Sequence, residues 1–167
     1  MTDATFTGGD VEAFKQAFRR HAAGVAVITA RDTDGRPVGF TATSLASLAA
    51  VPPLATFSTA RSASTWHALE NTDHVAIHML GSDNRVLAEK LSGHADDRFV
   101  GEHWHEGPHG VPILNGVTAW MLGRIVERFH VAASAIVVAQ IEEGALGPDS
   151  APLLYHERAY HAPRPLA

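Results

Sequence analysis

Cysteine is absent from this chain of 167 residues. Disulfides, thiolate metal sites and a cysteine nucleophile are excluded together, and the absence suits a reducing, cytoplasmic setting. No run of 18 or more apolar residues occurs, so no membrane-spanning helix is expected. Residues 1–10 have neither a charged n-region nor an apolar h-region and do not read as a secretory signal. Basic charge is scarce: 13 Lys and Arg stand against 18 Asp and Glu, a formal net charge of −5. Neither a basic face for nucleic acid nor a polybasic run for an acidic membrane surface is expected. No GxGxxG follows a strand and no GxxxxGK precedes Ser or Thr, so the usual nucleotide-binding folds are not indicated. Internal repeats and linkers are also missing; only a proline-rich tail from Pro163 stands apart.

What remains is an ordinary globular balance, 46% apolar and 19% charged. The length fits one domain, residues 1–167, with a core over about 14–161. Asp10 is placed to cap a helix whose Val11, Phe14 and Phe18 share a face. Gly24 to Arg31 reads as a strand, Asp34-Gly35 as a hairpin turn, and Arg36 to Thr43 as the returning partner. Pro52-Pro53 is expected to stop pairing, with Leu54 to Ser58 a further strand. Ser62 to Trp66 reads as a helix start capped by hydroxyls. Asp73 to Leu80 reads as a strand, and Ser82 as the cap of a helix with Val86, Leu87 and Leu91 inward. Residues 93–111 read as a loop, and Val117–Phe129, Ala135–Glu142, Leu153–Tyr155 and the stretch near Tyr160 as extended. Many antiparallel strands with a few short helices predict a mainly β fold, a closed or partly closed barrel, because closure removes exposed strand edges.

Four groups of residues carry chemistry. Thr41, Thr43, Ser44 and Ser47 offer small hydroxyls beside Leu45 and Leu48. That mixture suits a flat ligand with one polar and one apolar edge, and equally a strand with solvent-facing Thr and Ser. Ser58, Thr59, Ser62, Ser64 and Thr65 surround Arg61 where a strand gives way to a helix. Free amides plus a guanidinium suit an anion such as phosphate; a capped helix beside a solvent arginine is the plain alternative. His103, His105 and His109 lie around Trp104 and Glu106. Their spacing matches no established metal site, so they read as a loop and no metal is expected. Asp96-Asp97-Arg98-Phe99, followed by Trp104, can anchor a loop or bring a second cation to a phosphate.

In order and spacing, these landmarks resemble the flavin reductase-like family with its FMN-binding split barrel. The resemblance runs from about Phe18 to Tyr160. It is carried by Phe18-Arg19, Gly24 to Ala30, Asp34-Gly35, Gly39 to Ser47, Pro52-Pro53-Leu54, Leu80 with Asn84 and Leu87-Ala88, Arg98-Phe99, Trp104, Pro112-Ile113-Leu114 and Pro152 to Tyr155. It implies a Greek-key antiparallel split barrel with short peripheral helices, acting as a homodimer with flavin in a groove near the subunit interface. It further implies that Thr41, Ala42, Thr43, Ser44, Leu45, Ala46 and Ser47 line the isoalloxazine. Ser58, Arg61, Ser62, Ser64 and Thr65 hold the ribityl chain and phosphate, and Asn84 and Arg98 make further contacts. The implied activity is hydride transfer from NADH or NADPH to FMN or FAD, supplying reduced flavin to a partner monooxygenase.

The chain departs from the family pattern in three places. Thr43 stands where the family usually has Asn, and Leu45 where it has Phe. Ala132-Ala133-Ser134 replaces a Gly-Asp-His triplet whose His belongs to the nicotinamide side. No catalytic residue is assigned outright. His130, two residues upstream, is a candidate substitute because a two-residue offset in extended chain keeps the same face. The departure leaves open a flavin-binding protein that oxidises NAD(P)H poorly and uses its flavin for another redox or tailoring reaction, or carries it. A structural dimer that has lost flavin is a third reading, against which Arg61 and its hydroxyl neighbours stand.

Overall fold

The structure, a computed structural model, describes residue 5 and residues 7–167. Residues 1–4 and 6, part of the segment read above for a secretory signal, lie outside the described residues. Asp10 caps α1 (Val11–Arg19) as expected: its Oδ1 accepts from the Ala13 amide at 2.9 Å. The helix then departs from its amphipathic pattern. Val11, Phe14 and Phe18 are 59%, 55% and 60% exposed, and α1 buries no residue.

The extended run expected from Gly24 to Arg31 is two strands, β1 (Ala23–Gly24) and β2 (Ala26–Arg31). The break is at Val25, whose amide donates to the Leu153 carbonyl at 2.9 Å. β3 (Pro37–Ala42) returns beside β2 through the Asp34-Gly35 turn, where Gly35 sits at φ 79° and Asp32 Oδ1 accepts from the amides of Asp34 and Arg36. β4 (Ala46–Ala50) and β5 (Pro53–Ala60) form a hairpin around Val51-Pro52. Pairing therefore does not stop at the prolines: Pro53 opposes Ala50, and the first residue of a strand tolerates proline.

α2 (Trp66–Asn71) leads to β6 (His74–Met79), and a 3₁₀ turn, Ser82–Asn84, opens α3 (Arg85–Ser92). Asn84 rather than Ser82 occupies the cap position of α3, whose buried residues are Ala88 and Leu91, while Val86 is exposed. The segment read as a loop contains β7 (Trp104–Glu106), paired with β8 (Pro112–Leu114). The long strands β9 (Ala119–Val131) and β10 (Ser134–Leu146) precede β11 (Leu154–His156) and β12 (Ala159–His161).

Seven strands form one antiparallel sheet in the order β3-β2-β6-β9-β10-β5-β4. Its two edges, β3 and β4, are consecutive in the chain and are joined only by Thr43, Ser44 and Leu45. Four Cα-to-Cα steps reach at most about 14 Å. The sheet must therefore curl until its edges almost meet, although β3 and β4 make no ladder with each other. This is the expected split barrel, with the hydroxyl-rich segment at its seam. Ile28, Phe57, Leu69, Val75, Ile77 and Val137 fill the interior. Val25, Val27, Leu80, Leu91 and Leu114 form a second apolar layer that includes residues of α3 and β8. β2 is buried from Ala26 to Ala30 because both of its faces are covered.

Val131 pairs with Ser134, so Ala132 and Ala133 are the two-residue turn of the β9–β10 hairpin. Ala132 has φ 50°, a backbone region that glycine enters without a Cβ penalty. Ala132→Gly is expected to stabilise the protein by about 0.5–1 kcal/mol net, the left-handed penalty less what the freer unfolded chain takes back. A urea midpoint that falls in this variant would show the turn to be unstrained.

Candidate functional site

One side chain extends the β4–β5 pairing into the seam segment. Ser44 Oγ donates to the Ser58 carbonyl at 3.2 Å and accepts from the Ser58 amide at 2.9 Å. A hydroxyl thus takes the place of a missing ladder pair. It also joins the two segments that the sequence singled out separately.

Thr43, Ser44, Leu45 and Ala46 line a groove of about 730 Å³. Ligand pockets run to roughly 300–1,000 Å³, so a tricyclic ring with its side chain fits that space. The facing wall was not legible in the sequence. It comes from Phe14, Phe18 and His21 at α1 and from Tyr155 to Arg158 at the β11–β12 turn. The Phe14 and Phe18 rings are 4.8 Å apart. The Glu157 amide donates to the Arg19 carbonyl at 3.0 Å and ties α1 to that turn. Glu157 and Arg158 both have positive φ, 48° and 64°, as a two-residue hairpin turn of this twist demands. The i, i+4 pair Phe14 and Phe18 was the available signal, but the same spacing describes a core-facing helix.

The remaining seam residues divide. Ser47 lies in a second, apolar cavity of about 200 Å³ with Leu54, Met79, Met121 and Ile141. Ala42 is 5% exposed and packs in the barrel core, so it does not face the groove. Thr41 Oγ1 donates to the Ala88 carbonyl at 2.8 Å. Its hydroxyl fastens β3 to α3, and Thr41 does not line the groove.

Beyond Ser58, β5 ends in the turn Arg61–Thr65. The Arg61 amide donates to the Ala133 carbonyl at 2.8 Å, so this turn touches the β9–β10 hairpin tip. The Arg61, Ser62 and Ser64 side chains are exposed. Thr65 is 4% exposed and makes no capping bond to α2, contrary to the expected hydroxyl cap. Among the described residues, its Oγ1 is the one buried side-chain polar atom without a partner. An unpaired buried hydroxyl costs about 1–3 kcal/mol. The exposed Arg61 guanidinium, the Ser62 and Ser64 hydroxyls and the orphaned Thr65 Oγ1 are donor types that a phosphate takes, so the residues present fit such a group. Thr65→Val is accordingly expected to raise the melting temperature of the flavin-free protein and to weaken FMN. A lower melting temperature with unchanged FMN affinity would contradict this.

Asn84 and Arg98 do not reach the groove's polar wall. Asn84 Oδ1 accepts from the Gly81 amide at 2.8 Å and its Nδ2 donates to the Gly116 carbonyl at 2.9 Å. Arg98 donates from Nε to Gly93 at 2.9 Å and from Nη1 to Gly39 at 2.8 Å. Partial burial pushes its pKa down. Both side chains brace the fold, and neither lines the seam groove.

His130 packs its ring edge-on against Trp66, with centroids 5.5 Å apart. It pairs with Ala135, whereas Ser134 pairs with Val131, so His130 and Ser134 point to opposite faces of the hairpin. The offset argument assumed extended chain where the structure has a turn, and the ground for His130 as a substitute is removed. The loop histidines separate too. His103 Nε2 bonds to the Arg98 carbonyl, His105 Nδ1 to Asn115 Oδ1, and His109 stacks on His74.

A seven-stranded split barrel with a hydroxyl-lined seam groove and an arginine-bearing turn defines a class of small-ligand-binding β domains. Residues 18–164 match the flavin reductase like domain, and the chain belongs to that family. It is 37% identical over 158 residues to the NADH:FMN oxidoreductase of Rhodococcus qingshengii, covering 92% of this chain and 82% of that protein. It is 29% identical over 148 residues to the actinorhodin polyketide dimerase of Streptomyces coelicolor, covering 89% and 84%. The crystal structure of a flavin reductase domain protein from Arthrobacter sp. FB24 superposes with a TM-score of 0.90 at 51% identity, covering 93% of this chain and 97% of that one.

Proposed function

We propose that this chain is an NAD(P)H-dependent flavin reductase that moves hydride from NADH or NADPH to FMN or FAD and supplies reduced flavin to a partner monooxygenase. The carrying observation is the groove lined by Thr43 to Ala46, whose Ser44 is hydrogen-bonded to Ser58 on the strand that leads into the Arg61–Thr65 turn. The 37% identity to an NADH:FMN oxidoreductase supports the reaction type. Thr43 and Ser44 offer polar atoms to the ring's carbonyl edge, and Leu45 and Ala46 an aliphatic surface. Arg61, Ser62, Ser64 and Thr65 hold the phosphate. When bound, flavin would supply the hydride acceptor for the nicotinamide, and Thr43 to Ala46 with the Arg61–Thr65 turn would hold and orient it.

The exposed faces of α1 and of the edge strand β4 support a homodimer. Among the described residues no helix is long and apolar enough to cross a membrane. With the lack of cysteine, this supports a cytoplasmic site of action.

A second reading, flavin binding without efficient nicotinamide oxidation, is favoured by one observation. The Ala132-Ala133-Ser134 tip adjoins Arg61 but carries no imidazole or carboxylate. Consumption of NADH and NADPH, each paired with FMN and FAD, separates the two. Saturable consumption with at least one pair establishes the reductase, and none with any pair, while FMN or FAD still binds, establishes the second reading.

A further inference from the structure

At the end of β6 away from Met79, three elements bring two imidazoles and a carboxylate together. The ligand-type atoms of His74, His109 and Glu142 all lie within 4.8 Å of one another. We propose that these three residues form a site for a divalent transition-metal cation, zinc in the first instance, separate from the flavin groove.

Each residue is delivered by a distinct local device. His74 opens β6. Glu142 falls where the β9–β10 register shifts between Ile141 and Glu143. A bulge of this kind turns a side chain off its regular position, and here Glu142 Oε2 lies 3.3 Å from His74 Nε2. His109 sits in the tight turn Pro108–Gly110 with φ 56° and ψ 19°, a left-handed conformation uncommon for a residue with a Cβ. That turn is clamped to the barrel by Arg31, whose Nε donates to the Gly110 carbonyl at 2.5 Å. The clamp keeps the His109 ring beside that of His74, stacked with centroids 3.8 Å apart, and ligation of one ion requires a ring to turn so that both lone pairs meet it.

Two neutral imidazoles and one carboxylate are the donor types zinc takes, and three protein ligands leave a fourth position for water. The same nitrogen and oxygen set also accepts nickel or copper. Arg124 Nε holds Glu142 Oε1 at 3.1 Å, which orients the carboxylate and leaves Oε2 toward the histidines. Its positive charge opposes a cation, so affinity is moderated. A bound ion links β6, β10 and the β7–β8 connection, and its role is to pin that connection to the sheet. The ligands lie far apart in the chain, which is why their spacing carried no metal signature.

Calorimetric titration of the flavin-free full chain with zinc chloride tests the proposal. The expected result is saturable binding of one zinc per chain. His109→Asn keeps a residue that tolerates left-handed backbone, and Glu142→Gln keeps shape while removing charge. Each is expected to weaken zinc at least about tenfold, whereas His94→Ala, at the exposed cap of the 3₁₀ turn Ala95–Asp97, binds as the unaltered chain does. Zinc is also expected to raise the melting temperature of the unaltered chain and not that of His109→Asn. Absence of saturable binding, or unaltered zinc affinity in both His109→Asn and Glu142→Gln, overturns it.

Discussion

Replacing Arg61 with alanine is expected to weaken FMN binding by about 1.5–3 kcal/mol, the scale of hydrogen bonds to a charged partner. That corresponds to roughly 10- to 150-fold in Kd. The fold should tolerate the change, because the guanidinium is exposed and the contact with Ala133 is made by the Arg61 backbone amide. Riboflavin supplies the control, since it has the same ring and no phosphate. Its affinity is expected to be the same in both proteins. If FMN affinity is unchanged, or riboflavin loses as much as FMN, Arg61 does not read the phosphate.

The second large effect concerns acid stability. His78 is 0% exposed on β6. Its Nδ1 faces the Val27 carbonyl at 3.0 Å and its Nε2 accepts from the Leu114 amide at 3.1 Å, an arrangement that needs a neutral ring with the proton on Nδ1. Burial pushes its pKa down to about 4, against the pull of the Val27 bond and with a smaller contribution from His105. Above pH 6.5 the ring is neutral in folded and unfolded chains alike. Between pH 6.5 and 4 the unfolded chain binds a proton that the folded chain refuses, so stability falls with pH. The loss is on the order of 3 kcal/mol across that window. His78→Gln offers an amide for both partners but has no titrating group. It is expected to be less stable at neutral pH, with a much flatter stability profile between pH 6.5 and 4. Parallel profiles for the two proteins would remove His78 as the cause.

Much of the barrel was legible because its strands announce themselves locally. β2, β6, β9 and β10 are β-branched runs, and Asp34-Gly35 marks its own turn. The β4–β5 hairpin was not legible, since proline at a strand's first residue looks like proline that ends one. The site divides the same way. Thr43, Ser44, Leu45 and Ala46, singled out because hydroxyls beside aliphatics suit a ring with two kinds of edge, do line one groove. Thr41, Asn84 and Arg98 carry the same donor and acceptor types, yet tertiary structure gives each a partner within the fold. Residue type states what a side chain can bond to, and topology decides what it meets. His130 failed for a related reason: the turn at Ala132-Ala133 reverses the chain where the offset argument needed it straight.

The central claim is that the seam groove seats flavin so that a nicotinamide reduces it. Its most direct test is anaerobic mixing of the FMN-loaded protein with NADH while the yellow colour of oxidised flavin is followed. Bleaching is expected at a rate that saturates with NADH. Colour that persists while FMN stays bound would contradict it, and would leave the Ala132-Ala133-Ser134 protein as a flavin binder without nicotinamide chemistry.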